Sequence, residues 1–178
     1  MMKSAWLVMG VSVLLTSCAT LEPEECKTAD WVKLGYSDAM SGSSVMLNDY
    51  SKDCAKAGVT PDQTAYMSGY NNGAKAFCTY DKGVEVGEKG KSVSDLCNKP
   101  GLAEDFNRGL AKGKELNKKQ KAVSGKEDER KKIEQKLSDI KSGKAQSTAQ
   151  DVDMLYREKS LIEKEIDVLK REKDALGR

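Results

Sequence analysis

Four cysteines, Cys26, Cys54, Cys78 and Cys97, stand at wide spacings in the first part of this 178-residue chain, and none follows them. No two are separated by only two residues, and the chain has no histidine. The usual ligand sets of a zinc site are therefore missing, and no metal is expected. A module with few large apolar residues commonly gains its stability from disulfides in an oxidising compartment, so two bridges are expected. Their pairing has to come from the helices between them.

The start of the chain supplies the compartment. After Lys3 an apolar run from Ala5 to Leu15 leads into Leu15-Thr16-Ser17-Cys18, which reads as a lipobox: an aliphatic residue, two small ones, then the cysteine that receives a diacylglyceryl group. The run is too short to cross a bilayer, which takes about 20 residues, and its charged, apolar, small-residue order is that of a processed signal. Residues 1–17 are expected to be removed, Cys18 to be lipidated, and residues 18–25 to act as an acidic tether of at most roughly 25 Å. Several acyl chains on one cysteine make release from a membrane negligible. Ala19, not aspartate, follows Cys18, so the expected address is the outer membrane, facing the periplasm, with the membrane engaged through the lipid alone.

In the mature chain, Trp31, Leu34 and Asp38 fall at helical spacing and Ser41 to Ser44 ends that helix. A second short helix is expected from Val45 to Ala57. If the two fold back on each other, Cys26 lies beside Cys54, and Cys78 with Cys97 then closes the second loop. Thr60-Pro61-Asp62-Gln63 reads as a threonine cap, proline at the first helical position and a capping-box glutamine, predicting a helix from Pro61 to about Phe77. Small residues recur four apart, one helical turn, at Gly35 and Ala39, Gly69 and Gly73, Gly83 and Gly87, and Gly109 and Gly113. Glycine costs a helix about 1 kcal/mol against alanine, so the recurrence predicts close approach of helix backbones. A phosphate-binding loop would need a P-loop lysine with serine or threonine in a strand-turn-helix setting, which the sequence does not offer.

Asp30-Trp31, Gly35-Tyr36, Asp38-Ala39, Cys54-Ala55, Gly58-Val59, Pro61-Asp62, Tyr66, Gly69, Gly73, Cys78, Gly87, Gly90, Cys97, Phe106 and Gly109 together resemble the small bacterial lipoproteins grouped as domain of unknown function 2799. The resemblance runs from about Cys26 to Gly113. It implies an envelope lipoprotein and carries no activity, cofactor or catalytic residue. The chain departs from the pattern at Ala39, where glycine is more common, and in its long charged tail.

That tail changes the character of the chain. Cys18 to Cys97 carries 8 Lys and 12 Asp or Glu, whereas Asn98 to Arg178 carries 21 Lys or Arg and 16 Asp or Glu, an asymmetry that suggests two modules with different surfaces. Helix formers run from Leu102 to Ser142 with a soft point at Ser124-Gly125; Ser142 to Ser147 makes a turn, and Ser147 or Thr148 caps a last helix to about Leu176. Leu155, Ile162, Leu169 and Leu176 recur every seven residues with Ile166 between them, facing Ile133, Leu137 and Ile140. The expected fold is therefore mainly α: a disulfide-stapled helical module over residues 26–113, then a coiled-coil-like antiparallel helical hairpin over residues 114–178. Lys159 and Lys173 interrupt the seam, which would call for a partner helix or a second copy over residues 116–178.

Lys114, Lys118 and Lys121 share a helical stripe that could meet anionic headgroups or acidic polymers; without interleaved aromatics it reads as a solvated face, and no nucleic-acid partner is expected. The lack of histidine excludes Ser-His-Asp and Cys-His catalysis. Asp30, Asp38, Asp49, Asp53 and Asp62 could in principle supply the paired carboxylates of a cell-wall-active enzyme, at a density ordinary for a soluble surface. The reading is a structural or interaction protein of the cell envelope, not an enzyme, with no cofactor.

Overall fold

The structure is a computed structural model describing residues 21–93 and 95–178; the signal segment and the Cys18 lipidation site lie outside the described residues. Seven α-helices and one 3-10 turn account for the fold, and no strand occurs among the described residues. The helices are α1 (Pro23–Lys27), α2 (Trp31–Met40), α3 (Leu47–Ala55), α4 (Gln63–Phe77), α5 (Tyr80–Glu88), α6 (Ala103–Lys141) and α7 (Ala149–Gly177), with the 3-10 turn at Asp95–Asn98 between α5 and α6.

Local chemistry sets the boundaries. Asp30, Thr79 and Thr148 each accept a hydrogen bond from a backbone amide three residues on, satisfying one of the donors that a helix start leaves open. At Thr148 the box is complete, because Asp151 bonds back to the cap amide at 3.0 Å. The cap of α4 lies two residues beyond the Thr60 that the sequence suggests. Asp62 accepts from Ala65 at 2.9 Å and the helix begins at Gln63; a carboxylate is the stronger acceptor for a helix N-terminus, and Pro61 is buried ahead of it. Nor is there a break at Ser124-Gly125, where α6 runs on as helix, with Val123 beside it buried to 2% exposure. The turn into α7 uses Gly143 at φ +72°, with Gly143 N bonded to Ile140 O and Lys144 N to Asp139 O, the paired bonds of a Schellman ending.

Two helix pairs built on small residues form the compact module. On α2 and α4, a Cβ added at Gly73 would stand 2.6 Å from Tyr36 O and 2.8 Å from the Ala39 Cβ, and one at Gly69 would collide with the Val32 carbonyl. On α5 and α6, a Cβ at Gly87 would stand 2.6 Å from both Leu110 O and Lys114 N, and one at Gly109 would collide with the Tyr80 carbonyl. Backbone therefore lies on backbone in both pairs, the close approach that the four-residue recurrence of small side chains permits. Tyr66, Tyr70, Phe77, Phe106 and Leu96 fill the core between the pairs. Bridges join Cys26 to Cys54 and Cys78 to Cys97, pinning α1 to the end of α3 and the end of α4 to the 3-10 turn.

Beyond Gly113 the same helix α6 leaves the module and becomes one arm of a hairpin with α7, so no linker separates the two regions. Val123, Ile133, Ile162 and Ile166 are buried between the arms, with Leu137, Leu155 and Leu169 packed beside them. At 29 residues, α7 is about 43 Å long.

Candidate functional site

The most connected polar cluster of the module centres on Asp38. The Tyr50 hydroxyl donates to both carboxylate oxygens at 3.1 Å and the Tyr66 hydroxyl donates to Oδ2 at 2.7 Å. Tyr66 in turn accepts from Met46 N at 3.0 Å, and the Tyr70 hydroxyl donates to Ser43 O at 2.7 Å. Three helices and the α2–α3 loop are thereby tied to one carboxylate. The rings support the same arrangement, with Trp31 edge-on to Tyr50, Tyr50 edge-on to Tyr66, and Tyr66 stacked on Tyr70 at 6.0 Å, geometries that add to the area these rings bury.

The chemistry open to this cluster follows from its protonation. Burial, then the neighbouring Asp38 charge, pushes the Tyr50 hydroxyl up to about 12; burial drives Tyr66 higher still. Both remain protonated donors at neutral pH, so neither is a ready phenolate base or nucleophile. The cluster is a strut. The sequence places Asp38 on a helix face and Tyr66 and Tyr70 one turn apart, but not their meeting; the one signal for it is that a buried tyrosine hydroxyl requires a partner.

Three of the other carboxylates named from the sequence are engaged at helix starts or in an exposed ion pair. Asp30 and Asp62 cap helices and Asp49 pairs with Lys52 at 3.4 Å. Among the described residues no three histidine, cysteine, aspartate or glutamate side chains are grouped so as to hold a metal ion.

On the hairpin, charges cross between the arms. Lys126 reaches Glu165 at 2.9 Å, Lys170 reaches Glu127 at 2.9 Å, Lys159 reaches Glu134 at 3.0 Å, and Lys119 pairs with Glu172. Lys173 donates to Gln120 Oε1 at 2.9 Å. Both lysines that interrupt the seam thus have polar partners on the opposite arm. The lysine ammoniums hold the Glu127 and Glu134 carboxyls below their ordinary value through direct hydrogen bonds, and the glutamates hold Lys126 and Lys159 above theirs. Lys114, Lys118 and Lys121 are exposed, and among the described residues none of the three is in an ion pair. They lie along α6 where the module gives way to the hairpin.

Exposed apolar side chains mark a further surface. Met154, Leu161 and Val168 are 59%, 61% and 52% exposed, and an apolar groove runs beside Leu161 and Val168 between the arms, floored on α6 by Ala122 and Gly125. Sequence reasoning missed this stripe because it followed only the buried seam; the signal was present one heptad position away.

No helix among the described residues is long and apolar enough to cross a membrane. No solved structure matches the chain. The chain is 29% identical over 121 residues to "Uncharacterized protein YfiL" of Escherichia coli (strain K12), a match that covers 94% of that protein and 66% of this chain. About a third of this chain therefore has no counterpart in that relative. Residues 30–115 match the family model described as Protein of unknown function (DUF2799), a span that takes in both glycine-packed helix pairs and the Asp38 cluster and ends where the hairpin begins.

Proposed function

We propose that this protein is a lipid-anchored component of the bacterial outer membrane, facing the periplasm, whose module positions a helical hairpin for contact with another envelope molecule. The carrying observation is the division of the chain: residues 30–115 match the family model, while the hairpin beyond it bears four large hydrophobic side chains more than half exposed, of which Met154, Leu161 and Val168 form a row seven residues apart. Single exposed apolar residues are ordinary, but a row of them beside a groove is the usual mark of an interaction surface. The lipobox cysteine Cys18 supports the anchor, and the two disulfides suit an oxidising compartment. The role is non-enzymatic on this reading, since the tyrosines around Asp38 serve as a strut and Asp30 and Asp62 are helix caps.

Fractionation of a Cys18→Ala variant tests the anchor: it leaves the membrane fraction if Cys18 carries the lipid, and stays with outer membranes if the motif is misread. Site-specific photo-crosslinking in cells from Lys136 and Glu163, both exposed on the hairpin, tests the contact. Adducts from these positions and none from exposed Lys56 on the module support the reading; adducts only from the module overturn it.

A further inference from the structure

We propose that the hairpin binds a second copy of this chain, α7 against α7 in parallel, along the stripe Met154, Leu161 and Val168. The inference names the partner of the surface described above and so rests on the interaction reading.

The side chains of α7 that face α6 follow a heptad, with Val152, Lys159, Ile166 and Lys173 at one core position and Leu155, Ile162, Leu169 and Leu176 at the other. The remaining positions are sorted as strictly. The apolar stripe recurs every seven residues and ends at Ala175. On one side of it runs a basic row, Arg157, Lys164 and Arg171; on the other an acidic row, Glu158, Glu165 and Glu172. A seam flanked by one row of each sign determines how two identical helices can meet. In a parallel pair each basic row faces the partner's acidic row, whereas in an antiparallel pair base faces base and acid faces acid. The charge order thus selects a two-fold parallel pair, an isologous contact that closes on itself.

The acidic row retains capacity for a second cation. Glu165 and Glu172 bind Lys126 and Lys119 through Oε2 alone, and their side chains are 55% and 48% exposed. Lys164 and Arg171 have no ion-pair partner among the described residues. Room is available as well: nothing lies within 4 Å of a Cβ placed at Gly125, so the floor beside Leu161 and Val168 is open to a side chain from the other copy. A flat lipid surface fits the stripe less well, because membrane-lying helices flank their apolar face with lysine and arginine on both sides.

The test uses the full chain purified in mild detergent. Met154→Cys, Leu161→Cys and Val168→Cys are made singly and oxidised, and crosslinked peptides are mapped. Parallel pairing in register joins each position to itself in the other copy. Antiparallel pairing about Leu161 would join only that position to itself and would join 154 to 168 in a mixture, which overturns the proposal. Leu161→Glu with Val168→Glu, both on the surface, should weaken dimerisation by about a hundredfold in sedimentation equilibrium while leaving helix content unchanged by circular dichroism. A chain that is monomeric at tens of micromolar, or a dimer indifferent to that double variant, overturns it too. If the purified chain is monomeric while Glu163 still captures a different protein in cells, the self-pairing falls and the interaction reading stands; if neither occurs, both fall.

Discussion

The two halves of this molecule are held together by opposite means. The compact module puts helix backbones in contact through glycine, fills the space between the pairs with aromatic rings, and is stapled by two disulfides. The hairpin has a narrow strip of isoleucine, valine and leucine reinforced by lysine–glutamate pairs in water. Exposed pairs of this kind contribute little each, so the hairpin should be the less stable region although α6 passes through both without a break. Close packing suits a part that must hold its shape; a charged, half-covered surface suits a part that meets something else.

The largest effect should come from the module's backbone contacts. Gly69→Val places a branched side chain against the Val32 carbonyl, a neighbour that cannot move aside. Loss of more than about 4 kcal/mol is expected, seen as disappearance of cooperative near-ultraviolet unfolding. Gly125→Val, with open space around its Cβ, should leave that transition in place.

Reducing the bridges comes next. They close segments with sequence separations of 28 and 19 residues, and each should contribute about 3 kcal/mol through the entropy of the unfolded chain. Chemical denaturation with and without reductant measures this, and the hairpin's own transition should not shift.

Tyr66→Phe removes a donor to Asp38 and leaves the Met46 amide without its acceptor. A cost of about 1–3 kcal/mol is expected. Tyr156→Phe, on an exposed position of α7, should be silent in the same assay.

The smallest effect is the pH dependence of the hairpin. Glu127 and Glu134 are held below the ordinary 4.5 in the folded state by Lys170 and Lys159, so their contribution is present above about 4.5 and is lost as pH falls through the lower folded value. Lys126 and Lys159 are held above 10.5; their contribution is present below 10.5 and is lost as pH rises through the higher folded value. Both losses should be reproduced at neutral pH by salt, which screens exposed pairs.

Much of this was legible in the sequence where one stretch of chain sufficed. The heptads of α7, the turn at Gly143, the Thr148 cap and the small residues four apart are each set by local spacing. The cysteine pairs could be argued because folding adjacent helices back leaves little choice. What spacing did not give is which distant elements meet. The motif at Gly83 and Gly87 does not say that its partner is the motif at Gly109 and Gly113, nor does Asp38 announce that two tyrosines from other helices will bond to it. The cap at Asp62 escaped for a different reason: Thr60 and Asp62 are both good caps, and the choice between them depends on Pro61 packing inward.

Hydrogen exchange along α6 tests most directly the claim that one unbroken helix serves two regions of unequal stability. Amides from Phe106 to Gly113, packed on α5, should exchange far more slowly than those from Lys131 to Ile140 in the hairpin, with the step between Leu116 and Val123, and reductant should speed only the first group. Uniform protection from Phe106 to Ile140 that falls together on reduction would contradict the account and make the hairpin part of a single cooperative unit with the module.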